Sequence, residues 1–150
     1  MTRTLLLLLI LFIFIPESHA HCQVPCGIYD DSLRIELIKE HIRTVEKSMR
    51  KIEELGKEKD VNYNQLIRWT VNRDEHADKI MNIIAQYFMA QRIKPCKDGE
   101  EKKSRCSELL TVSHKIMYYA MKAKQSTDKM NIEKLRKYTE TLEKIYFHSH

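Results

Sequence analysis

From residue 31 onward, apolar side chains recur every three or four positions, the spacing of one face of an α-helix. Between Asp31 and Leu55 the stripe is Ile35, Ile38, Ile42, Val45, Met49 and Ile52. Asp30, Asp31 and Ser32 offer oxygens for the N-cap, and Gly56 marks a stop. A second helix is expected from about Asn62 to Arg92, carrying Leu66, Trp69, His76, Ile80, Ile83 and Tyr87, with Pro95 beyond its end. The polar stretch from Lys97 to Lys103 reads as a loop. A third helix is expected from about Ser104 to Lys124, with Leu109, Val112 or Ser113, Ile116 and Ala120 inward. A fourth runs from about Met130 to Phe147 with Leu135, Tyr138, Leu142 and Ile145. Each helix hides only a stripe, so none is stable alone, and short loops make neighbours antiparallel. With only three glycines and three prolines in 150 residues, an all-β chain is excluded. The expected fold is all-α, an antiparallel four-helix bundle.

The first thirty residues lie outside this periodicity. Arg3 provides a positive start, Leu5 to Ile15 an apolar run, Pro16 a break, and Ser18-His19-Ala20 the small residues that a signal peptidase reads. The run is too short for a membrane span, which needs about 20 apolar residues. Residues 1–20 are therefore expected to be a cleaved signal, leaving 21–150 as a single domain with no stable membrane anchor. The expected location is the periplasm or the cell exterior. The net charge of +5 is spread among interleaved charges of both signs. That pattern describes a solvated helical surface, without the basic stripe of a nucleic-acid binder. Such a field still favours the approach of a small anion.

Cleavage after Ala20 makes His21 the first residue of His21-Cys22-Gln23-Val24-Pro25-Cys26-Gly27-Ile28-Tyr29. A free α-amine, an imidazole and a thiol then stand on two consecutive residues. The amine titrates near pH 8 and is readily neutral. The amine, the deprotonated Cys22 amide and the Cys22 thiolate form fused chelate rings. A bend at Pro25 and Gly27 can return Cys26 to complete a plane of two nitrogens and two sulfurs. Such a plane suits Ni(II) or Cu(II), whereas structural zinc prefers a tetrahedron. Cu(II) tends to oxidise thiolates, which tilts the choice toward nickel, and the His21 imidazole is left to approach axially. Two other readings stay open on these residues alone. One is an exported nickel or copper carrier; the other is a secreted signalling bundle whose four cysteines all form disulfides, Cys22–Cys26 included.

The pattern His21-Cys22-x-x-Pro25-Cys26-Gly27-x-Tyr29 resembles the metal-binding hook of the nickel superoxide dismutases. The resemblance continues through Tyr29-Asp30-Asp31 and Arg34-Ile35-Glu36, Asn64-Gln65-Leu66-x-Arg68-Trp69, Glu75-His76-Ala77, Ile84-Ala85-Gln86-Tyr87-Phe88 and Arg92-Ile93-Lys94-Pro95, with a weaker match at Ala120 to Gln125. It implies an enzyme that converts superoxide to dioxygen and hydrogen peroxide with one nickel ion per subunit cycling between Ni(III) and Ni(II), in a homohexamer. It also implies that His21, Cys22 and Cys26 bind the metal and that the hook comprises residues 21–29. Tyr29 would either order water or substrate beside the metal or anchor the hook by packing. Glu36 is similar to a carboxylate that supports the axial histidine. His76 stands where some members carry arginine, so it is a candidate contact or a core histidine. Cys96 and Cys106 flank the polar loop outside these segments, and in an exported chain they are expected to form a disulfide.

Overall fold

A computed structural model of the protein describes residues 30–96 and 100–147. The signal and the hook at 21–29 lie outside the described residues. Four helical elements follow in order: α1 Asp31–Leu55, α2 Tyr63–Asn82 continued by a π-helical segment Ile83–Arg92, α3 Glu100–Gln125 and α4 Lys129–Phe147. There is no strand among the described residues. α1 packs on α2 and α4, and α3 packs on the same two, so the helices close in a ring around one core. The bundle expected from the periodicity is the bundle observed.

Local chemistry sets the boundaries. The Asp30 carboxylate caps α1 by accepting from the Ser32 amide at 2.9 Å, and Asn62 caps α2 by accepting from the Gln65 amide at 3.1 Å, each quenching a donor without a helical partner. α1 ends before Gly56 as expected. Gly56 has φ of −67°, so the stop does not use the left-handed conformation open to glycine. Burial follows the stripes at Ile35, Ile38, Val45, Ile80, Ile116, Leu135 and Leu142, all wholly excluded from solvent, whereas Ile52, Leu66, Trp69, Tyr138 and Ile145 are only partly buried. Of the alternatives on α3, both Val112 and Ser113 are buried.

Two boundaries differ from expectation. α3 starts at Glu100, inside the stretch read as loop, because a polar run rich in Glu and Lys suits a solvated helical turn as well as a loop. The end of the second helix is wound more widely than an α-helix. The Ile93 amide donates to the Phe88 carbonyl, five residues back, at 2.8 Å. This winding buries the adjacent pair Tyr87 and Phe88 together, whereas the α-helical stripe anticipated Ile83 and Tyr87. Ile83 is only partly buried. Short π-helical insertions of this kind recur near functional sites.

Candidate metal centre

The chain enters the bundle at Asp31, in the first turn of α1. Its carboxylate gathers three elements. Oδ1 accepts from the Tyr87 hydroxyl, from Arg92 Nε at 2.8 Å and from Nη2 of the same guanidinium at 2.7 Å. Oδ2 accepts from the Tyr146 hydroxyl at 2.7 Å. The Arg34 guanidinium lies over the Tyr87 ring, 5.0 Å from its centre. Arg92 lies 5.5 Å from the same centre, so the ring faces positive charge on its negative π surface. These contacts put the start of α1 beside the ends of the π segment and of α4, the antiparallel arrangement. Arg105, early in α3, donates to the carbonyls of Ile145 and Tyr146 at 3.2 Å each, so all four elements meet at this end.

The electrostatics of the cluster are those of a locked anion. Burial pushes the Asp31 pKa up, but donors from Tyr87, Arg92 and Tyr146 outweigh it and hold the carboxyl below its ordinary range. Burial and the Asp31 charge push Tyr146 up to about 12 and raise Tyr87 for the same reasons. Both phenols therefore stay protonated as donors.

Cys96 and Cys106 are bonded, with Cα atoms 5.5 Å apart, joining the exit of the π segment to α3 as the sequence led us to expect. Arg92, Lys94 and Arg105 line a surface groove beside this bond.

The other residues singled out by the sequence are placed as follows. His21, Cys22, Cys26 and Tyr29 lie outside the described residues. Glu36 is exposed on α1 and pairs with Lys39 at 2.8 Å. Lys39 also reaches Glu143 on α4 at 2.9 Å. His76 does not join Glu36: its Nδ1 lies 3.1 Å from Nδ1 of His41, between α1 and α2. Burial lowers both histidine pKa values, and Lys79 lowers them further. His41 and the Asp31 cluster escaped sequence reasoning. Asp31 and Arg92 stand within the family-like segments, but nothing local joins them.

Among the described residues no set of three or more His, Cys, Asp or Glu side chains is placed to hold a metal. Of the four cysteines in the chain, the disulfide consumes two. The remaining cysteines are Cys22 and Cys26, close to His21 in the sequence and outside the described residues. The family model of nickel-containing superoxide dismutase matches residues 16–150. The chain belongs to the nickel-containing superoxide dismutase family. No curated protein and no solved structure gives a match.

Membership makes the protein a superoxide dismutase, an oxidoreductase with a nickel cofactor, and sets the carrier and signalling readings aside. The match begins ahead of His21 and takes in the whole hook motif of this nickel superoxide dismutase. No helix among the described residues is long and apolar enough to cross a membrane.

Proposed function

We propose that this nickel superoxide dismutase is completed by cleavage after Ala20, outside the cytoplasm, and works from a hook formed by residues 21–29. The α-amine of His21, the backbone nitrogen and thiolate of Cys22 and the thiolate of Cys26 would hold nickel, with the His21 imidazole as axial donor. Nickel bound there supplies a one-electron couple between Ni(III) and Ni(II), the change that turns one superoxide into dioxygen and the next into peroxide. The thiolates and the amidate donate electron density, which lowers the cost of the higher oxidation state. Tyr29 orders water or substrate beside the hook or packs against the bundle. Glu36 is the candidate acceptor for the His21 imidazole N–H. Its exposed ion pair with Lys39 is of a kind worth no more than about 1 kcal/mol, so the carboxylate can be redirected. His76 already has a ring partner in His41, and we assign it no contact with the hook. Assembly as a homohexamer belongs to the same proposal.

The observation that carries this reading is the match of the nickel-containing superoxide dismutase family model over residues 16–150, a span that takes in His21, Cys22 and Cys26. The Cys96–Cys106 bond agrees with it by leaving Cys22 and Cys26 out of that pairing. The Asp31 cluster supports it by fixing the residue two positions past Tyr29 to two other elements, so a hook at 21–29 would start from rigid structure. The cationic groove lined by Arg92, Lys94 and Arg105 suits an anionic substrate.

The test is a set of three variants read for nickel content, Ni(III) electron paramagnetic resonance and superoxide decay. Cys22→Ser and Cys26→Ser should each lose activity and the thiolate-to-nickel absorption. His21→Ala should keep nickel but lose most turnover and weaken the Ni(III) signal. Full activity in either serine variant removes the hook from the active site. Parental activity in His21→Ala removes only the axial role.

A further inference from the structure

His41 and His76 are two histidines from different helices whose ring nitrogens face one another in a partly buried seam. The Nδ1 atoms are 3.1 Å apart and the ring centres 4.9 Å apart, with the rings nearly perpendicular. A head-on N–H···N bond of that length would hold the ring centres further apart, so the rings meet off-axis. Two imidazole nitrogens held about 2.0–2.1 Å from one tetrahedral zinc lie about 3.3 Å apart, close to the 3.1 Å observed.

From this spacing we infer that His41 and His76 form a binding site for a zinc-like divalent cation that bridges α1 and α2. The site does not depend on the hook. Burial keeps both rings neutral near pH 7, the form in which imidazole ligates. Without metal, one Nδ1–H donates to the other Nδ1. When the ion enters, that proton moves to Nε2 of the same ring, so both Nδ1 lone pairs reach the metal and neither imidazole changes charge. Glu40 and Glu75 add favourable negative potential, and Lys79 opposes it. No third His, Cys, Asp or Glu among the described residues completes the set. Water therefore fills the other positions, and the ion should be exchangeable, not structural.

The experiment uses the processed protein with its nickel loaded and its nickel content measured beforehand, titrated with zinc sulfate. Histidine-ring nitrogen resonances and thermal unfolding are followed together. One equivalent of zinc should shift the Nδ1 resonances of both His41 and His76 and raise the melting temperature. His41→Gln and His76→Gln, each checked for helicity by circular dichroism, should bind at least tenfold more weakly and lose the thermal gain. Unmoved rings in the parent protein overturn the inference without recourse to any variant. So does parental zinc affinity in both variants, which would put the ion on other histidines such as His148 and His150.

Discussion

The hydroxyl of Tyr146, one residue from the end of α4, donates to the Asp31 carboxylate at 2.7 Å across 115 positions of sequence. The same carboxylate holds Tyr87 and Arg92. The residue that follows the hook region almost directly is thus the fastening point of one end of the bundle. Asp31→Asn keeps the shape but removes the charge, leaving Arg92 and two phenols with a weaker acceptor. Hydrogen bonds to a charged group contribute about 1.5–3 kcal/mol, and a loss in that range should appear as a lowered urea midpoint. Tyr146→Phe should cost less, about 1 kcal/mol. If the cluster also steadies the hook, Asp31→Asn will lose turnover at temperatures where circular dichroism still reports a folded bundle.

Acid should weaken the fold in two stages. The folded-state pKa values of His41 and His76 lie below the ordinary 6.5. As pH falls through that value the unfolded chain takes up protons first, and stability declines until the folded pKa values are passed. Asp31 is also depressed, but its contribution is present above the ordinary carboxylate range and is lost only as pH falls through and below about 4. Urea midpoints measured against pH should show both stages in the parent, the first reduced in His41→Gln and the second reduced in Asp31→Asn. At the alkaline end the raised Tyr146 contributes stability below pH 10 that is lost as pH rises toward about 12.

Replacing Cys96 and Cys106 by alanine together should lower stability without touching the metal. The bond closes a loop of sequence separation 10, for which chain entropy gives about 2.5 kcal/mol. Nickel content and the thiolate-to-nickel absorption should match the parent. A loss of nickel from a folded double variant would mean that these sulfurs, or the groove beside them, matter to the centre.

Phe88 has no exposed surface and meets Tyr87 and Tyr146 edge-on. Phe88→Ala should cost about 3–5 kcal/mol and loosen the end of the bundle where the chain enters. Ser113 is the opposite case, a wholly buried side chain whose hydroxyl has no hydrogen-bond partner among the described residues. Ser113→Ala should be neutral or raise the urea midpoint slightly, since a buried unsatisfied group carries a desolvation cost.

What could be read from the sequence was what is local. Ile35, Ile38, Ile42, Val45 and Met49 are spaced along one helix, and all are buried. The proposed hook chemistry rests on the sequence for the same reason, because its candidate donors lie between His21 and Cys26. The π segment was not, since Ile83-Ile84 and Tyr87-Phe88 are apolar pairs that fit either winding until neighbouring helices choose. The contact between His41 and His76 links positions on separate helices, and the Asp31 cluster draws on α1, the π segment and α4. Such meetings are set by the closure of the ring and leave no periodic trace. Glu36 was visible as a carboxylate, but its engagement by Lys39 and the link onward to Glu143 belong to the tertiary structure.

The tie between Asp31 and Tyr146 places the beginning of α1 beside the end of α4. A bundle closed in this way could be circularly permuted: a short linker could join the two ends, and a new start could be cut in the segment between Leu55 and Tyr63. The helices would still find the same neighbours. Catalysis, on the reading proposed above, would not survive, because the α-nitrogen of His21 would be locked into a peptide bond. The order in which these helices are strung is then a matter of chemistry rather than architecture, and a permuted protein that folds but stays inert would separate the two.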